Sequence, residues 1–161
     1  MRLTSKCILL LSIFGICCAA LTQATQQPTI TIESKNPTFE SGQPIQVHIV
    51  LKNTASQSFS IFRTPGGVRG ELFYSISVTG PDGNPAPLTK YGEAAQKHGL
   101  IPLCRTMKVI APGQTIDSNA NVERMFDMTP AGTYVVQASR ASPLDPAVIL
   151  KSNTLTISVG N

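Results

Sequence analysis

Hydrophobic and polar residues alternate along most of this chain. Ile45 to Lys52 carries the cleanest period of two: Ile45, Val47, Ile49 and Leu51 point one way, and Gln46, His48, Val50 and Lys52 the other. Thr29 to Ser34 is alternating and β-branched, which predicts the first strand. Ser58 to Arg63 predicts a third strand, with Phe59 and Ile61 inward. Leu72 to Thr79 follows through Leu72, Tyr74, Ile76 and Val78. Ala86 to Lys90 predicts a short edge strand, softened by Pro85 and Pro87. Arg105 to Ile110 reads as a strand with Met107 and Val109 inward. Thr115 to Phe126 reads as a weaker one through Ile116, Val122 and Arg124. Asn153 to Val159 closes the series.

The stretch from Pro130 to Arg140 organises this pattern. A Pro-Ala-Gly turn opens into a strand whose Tyr134, Val136 and Ala138 share one face. A tyrosine just past a turn glycine suits a tyrosine corner, with the ring in the core and the hydroxyl bonded back to the preceding connection. Turns separate the strands: Glu40–Pro44, Asn53–Ser56, Gly80–Asn84, Ala111–Gln114 and Ser142–Pro146. Glu93 to His98 predicts one or two helical turns stopped by Gly99. The fold class is therefore all-β, an antiparallel β-sandwich of seven to nine strands. The predicted core holds Val47, Ile49, Tyr74, Ile76, Val109, Tyr134, Val136 and Ile157.

The first residues break the pattern. Arg2 and Lys6 precede an apolar run, Cys7 to Leu21, interrupted by Ser12, and small residues follow. This is the pattern of a secretory signal peptide, with cleavage after Ala24 and Ala20 as second choice. The apolar run is short for a helix crossing about 30 Å of hydrocarbon, so no stable span is expected once the signal is removed. Ile16 and Cys17 are poor residues to precede a lipidated Cys17 or Cys18. Residues 1–24 are thus read as a signal peptide and 25–161 as one domain, secreted or periplasmic.

Export changes the charge and cysteine counts. Without Arg2 and Lys6 the 13 basic residues become 11 against 9 acidic, so the excess falls from +4 to +2. No basic cluster with interleaved aromatics remains, which argues against nucleic acid as a partner. Cys104 alone is left, so the core and not a disulfide must hold the domain. Cys104 is read as a buried small apolar residue, with thiolate chemistry beside Arg105 as the alternative.

Catalytic and metal signatures are missing from the sequence. It has no Gly-x-Ser-x-Gly, no His-x-x-x-His and no calcium loop, and His48 sits on an outward strand position. The glycine-rich segment Thr64–Gly70 lacks the Gly-Lys-Ser/Thr of a phosphate loop. The expectation is no enzyme, no cofactor and no metal. Two long irregular segments, Arg63–Glu71 and Tyr91–Thr106, are left as the functional material. They set Arg beside apolar or aromatic residues, which makes Arg63, Val68, Arg69, Tyr91, Leu103 and Arg105 the candidate binding residues. Outward strand positions such as Gln46, Lys52, Ser75 and Gln137 are polar, so binding is expected on loops and not on a sheet face. Replacing both loops with Gly/Ser turns is expected to leave the fold intact.

A resemblance follows from the turn motifs. Leu51-Lys52-Asn53-Thr54, Val78-Thr79-Gly80-Pro81-Asp82-Gly83-Asn84, Val109-Ile110-Ala111-Pro112-Gly113-Gln114 and Phe126-Asp127-Met128 before Pro130-Ala131-Gly132-Thr133-Tyr134 carry it, together with Ser152 to Val159. In these the chain resembles small immunoglobulin-like sandwich proteins exported by soil bacteria, and its layout is similar to the BsuPI-type proteinase-inhibitor domain. The resemblance implies a secreted immunoglobulin-like domain and is nearly silent on activity. Because loops supply binding surface and the sequence shows no catalytic constellation, the expectation is a non-catalytic module that recognises an extracellular or envelope protein. The alternative that the resemblance implies is a proteinase inhibitor, with Arg69 entering a trypsin-like pocket. Unlike antibody domains, the chain has no Trp, and Val136 stands where the second core Cys would follow the corner tyrosine.

Overall fold

A computed structural model describes residues 26–67, 69–98 and 105–161. The expected signal peptide, Cys104 and two candidate binding residues, Val68 and Leu103, lie outside them. The described chain is all-β with one short helix: β1 (Thr29–Glu33), β2 (Thr38–Glu40), β3 (Gln46–Lys52), β4 (Phe59–Arg63), β5 (Ser75–Thr79), α1 (Lys90–His98), β6 (Thr106–Ile110), β7 (Thr115–Asn121), β8 (Gly132–Ala141) and β9 (Ile149–Gly160). One sheet runs β1-β3-β7, a second β2-β9-β8-β5, and β4 and β6 form a third of two strands. All pairings are antiparallel except β2 with β9.

Period-2 burial follows from the sequence in β3, where Val47, Ile49 and Leu51 are buried beneath polar neighbours. Val136 and Ala138 of β8 and Ile157 and Val159 of β9 join them, so the sheets share one core. The tyrosine corner forms: Tyr134 is 1% exposed and its hydroxyl donates to the Pro130 carbonyl at 2.7 Å. Tyr134→Phe keeps the ring and removes that bond, so we expect a loss of about 1 kcal/mol in unfolding free energy, read by urea denaturation.

Several elements depart from expectation. Three residues are too few to show a period, so β2 was not foreseen. It is anchored by Phe39, which pairs with Val159. Gly70–Leu72 is a 3-10 turn, so β5 starts only at Ser75, and Ile76 is half-buried. The expected strand at 86–90 reduces to isolated bridges, Thr79 with Pro85 and Leu88 with Phe126. There α1 begins, capped where the Thr89 hydroxyl accepts from the Gly92 amide at 3.0 Å. β7 stops at Asn121, Val122–Arg124 form a 3-10 turn, and Arg124 faces solvent.

The largest correction concerns β6. Met107 and Val109 were expected in the core but are 66% and 59% exposed. Ile110 pairs with Phe59 and Lys108 with Ile61, so the even-numbered residues share the side of Phe59 and Ile61, and of the strand's residues Ile110 alone is buried. The Asn53 side chain fixes this phase by donating to the Ile110 carbonyl at 2.9 Å. A one-residue change of phase turns every side chain of a strand over.

Candidate functional site

The segment joining β4 to β5 is not a free loop. Gly66 and Gly67 take φ of 73° and 69°. A Cβ on Gly67 would lie 2.8 Å from the Asp117 carbonyl oxygen, and one on Gly70 would lie 3.2 Å from that of Asn119. The glycines therefore let this backbone lie flat against β7. Thr64, Gly67, Gly70 and Glu71 are buried as a result. A Gly/Ser replacement of the whole segment would disturb the fold, contrary to the sequence-based expectation.

Arg69 emerges from this turn with a left-handed backbone, φ 62° and ψ 48°. It is the one described residue other than glycine with positive φ. Such a conformation costs on the order of 1 kcal/mol and persists where contacts hold it. Here the contact is Tyr91, in the first turn of α1, whose hydroxyl accepts from Arg69 Nη2 at 3.1 Å. The same hydroxyl donates to Glu71 Oε1 at 3.4 Å, and Arg69 Nε lies 3.9 Å from that oxygen. On the ring face of Tyr91, the Arg124 guanidinium carbon stands 4.5 Å from the centroid. The Tyr91 hydroxyl, and behind it Glu71, hold the Arg69 guanidinium above its ordinary pKa against a smaller opposing effect of burial.

Glu71 is the buried member of this group, with 1% of its side chain exposed. Its Oε2 has no partner among the described residues. A cleft of about 580 Å³ adjoins it, lined by Phe73, Tyr74, Ile76, Gln96 and Arg140 among others. Arg140 stacks on the Tyr74 ring at 5.2 Å, and its Nη1 is likewise buried and unpartnered. Burial pushes the Tyr74 phenol up, and the nearby Arg140, Ser118 and Arg63 pull it down by less. Together these residues form a surface joined by hydrogen bonds and ring contacts. Two guanidiniums, Arg69 and Arg124, face outward from it.

Of the six sequence-derived candidates, the structure brings Arg69 and Tyr91 together. Arg63 lies beneath Gly67, its Nε donating to the Thr64 carbonyl at 3.3 Å, so it supports the turn. Arg105 is on another face, 4.7 Å over the Phe62 ring. Glu71 and Arg124 were missed. The local signal for Glu71 was its place two residues after Arg69 at the head of an apolar run. Arg124 had been assigned to the inward phase of a strand that in fact ends three residues earlier.

The histidine on β3 has local partners only. His48 Nδ1 lies 3.0 Å from Asn119 Oδ1, and Nε2 lies 3.8 Å from Asp117 Oδ1. Neither neighbour is a serine, threonine or cysteine. Among the described residues, no three His, Cys, Asp or Glu side chains gather as metal ligands, and no helix is long and apolar enough to cross a membrane.

No protein-family model matches the chain, and no curated protein sequence matches it. Solved structures do align with it. The CARDB domain of a Pyrococcus furiosus protein, solved with di-metal ions, shares 10% identity over 84% of this chain and 90% of its own, with a TM-score of 0.47. A β-glucosidase from Listeria innocua, solved with glucose, aligns over 83% of this chain but 16% of its own, at 10% identity and a TM-score of 0.39. The bacterial hydrophobin BslA aligns over 86% of this chain and 98% of its own, at 11% identity and a TM-score of 0.38. None of these comparisons supports the BsuPI-type resemblance, and at these scores none bears on activity. The chain is similar to small β-rich domains.

Proposed function

We propose that this protein is a non-catalytic recognition module of immunoglobulin-like layout, exported to the periplasm or beyond. In this reading it holds a protein or other envelope partner on the surface built from Arg69, Tyr91 and Arg124. The contact of Arg69 and Glu71 with Tyr91 carries the reading. It ties the β4–β5 connection to α1, and it is kept although Arg69 takes an unfavourable backbone conformation and Glu71 is buried. Cost retained in a fixed constellation is a sign of use. Two guanidiniums held in place are forked donors suited to carboxylates, so an acidic surface on the partner is the expected match.

Arg69→Ala and Arg124→Ala test this. Both side chains end in solvent, so each variant is expected to melt within a few degrees of the parent. Each is expected to weaken capture of the partner from envelope or culture extract by about tenfold, the scale of an arginine anchor. Full capture by the double variant would refute the proposal. The inhibitor reading has less support. Pro65–Gly67 and Gly70–Leu72 are folded into 3-10 turns around Arg69, where insertion into a protease cleft calls for an extended segment.

A further inference from the structure

The two-stranded sheet has an apolar outer face that recognition by Arg69 and Arg124 does not use. Its inner face buries Phe59, Ile61 and Ile110. On its outer face Phe62 and Met107 are direct cross-strand partners, 47% and 66% exposed. Val109 lies next to them, opposite Ser60 and 59% exposed. Three large apolar side chains thus sit together in water, where isolated ones would call for no explanation.

The charged residues of these two strands, and Arg105 before them, have one sign. Arg105 lies over the Phe62 ring, whereas Lys108, the cross-strand partner of Ile61, points to the other side. Phe59–Arg63 and Arg105–Ile110 contain no Asp or Glu. The outward strand positions offer a single hydroxyl, on Ser60, and so little to bond with a polar protein surface. An apolar centre beside a cation, on strands that carry no carboxylate, complements an anionic lipid surface. Phe62, Met107 and Val109 would enter the boundary between headgroups and acyl chains, while Arg105 would stay at the phosphates.

We propose that the outer face of β4 and β6 docks on anionic phospholipid. Docking here needs neither Arg69 nor the cleft beside Glu71, so it stands or falls apart from the recognition reading.

The methionines give a local readout in the intact protein. Met107 is exposed, whereas Met125 and Met128 are buried at 6% and 4%. The protein, labelled with 13C in its methionine methyl groups, is mixed with bicelles carrying a spin-labelled lipid. In bicelles of phosphatidylglycerol and phosphatidylcholine, the Met107 signal is expected to broaden away while Met125 and Met128 stay sharp. In phosphatidylcholine alone Met107 should remain. Arg105→Glu should weaken binding by about tenfold or more, because the reversal replaces the pull of a cation toward an anionic surface with repulsion. Phe62→Ser should restore most of the Met107 signal, with unchanged Met125 and Met128 shifts showing that the core is intact. A Met107 signal that survives phosphatidylglycerol overturns the proposal. So does equal broadening in both lipids, or broadening with protein concentration in the absence of lipid, which would mark the face as a contact between copies.

Discussion

Replacing Asn53 by alanine is expected to lower the unfolding free energy by about 2–4 kcal/mol, because buried backbone groups would lose their partners. Asn53 is completely buried. Its amide nitrogen donates to the carbonyls of Gln57 and Ile110, each at 2.9 Å, and its oxygen accepts from the Ala55 amide at 3.0 Å. Its own backbone is bonded to Gln114 and Gly113. One side chain therefore joins the end of β3 to β6 and to the approach to β4. In urea the midpoint should fall while the slope is kept, as expected when stability changes and compactness does not. Asn53→Asp separates hydrogen bonding from shape. A carboxylate has the same outline but cannot donate to two carbonyls, so this variant should be at least as unstable as Asn53→Ala at neutral pH. It should recover as the pH falls and the acid regains a proton to donate. An alanine variant of parental stability would show that the lock on β6 is not needed.

Gly92→Ala is the second large expected effect, and two physical arguments predict opposite signs for it. Helix propensity favours alanine over glycine by about 1 kcal/mol in a helix interior. The packing of α1 opposes it. A Cβ at residue 92 would lie 2.1 Å from the Met125 carbonyl oxygen and 3.0 Å from Leu88 Cδ2. The obstacle is backbone and cannot rotate away, and Thr89 also bonds the Met125 and Arg124 carbonyls there. Overpacking of this kind costs about 1–3 kcal/mol, which exceeds the propensity gain. We expect a lower melting temperature and faster amide exchange in α1. Because α1 carries Tyr91, the contact with Arg69 should loosen as well. A stabilised Gly92→Ala protein would mean that α1 packs less closely on Met125 than the structure shows.

Both positions look ordinary in the sequence. Asn53 reads as a turn residue after a strand, and Gly92 as a weak point in a short helix. Their importance lies in contacts with Ile110 and Met125, which are 57 and 33 residues away along the chain. The functional constellation has the same character. Arg69 and Tyr91 stood out as residue types, but Glu71 and Arg124 acquire meaning only once α1 packs beside the β4–β5 turn.

The sequence alone determined what repeats locally. Alternation in Gln46–Lys52 and Gly132–Ala138 named the buried faces of β3 and β8, because a strand with one side in the core must alternate. Pro130 to Tyr134 specified the corner, because a turn, a ring and a hydroxyl within five residues suffice to build it. Tertiary structure decided what alternation leaves ambiguous. In Thr106–Ile110 every second residue is apolar in one phase, and the odd-numbered phase looked like the core. Pairing of Ile110 with Phe59, locked by Asn53, turned that phase outward. Period two specifies that a strand has two faces, and only its neighbours decide which face is buried.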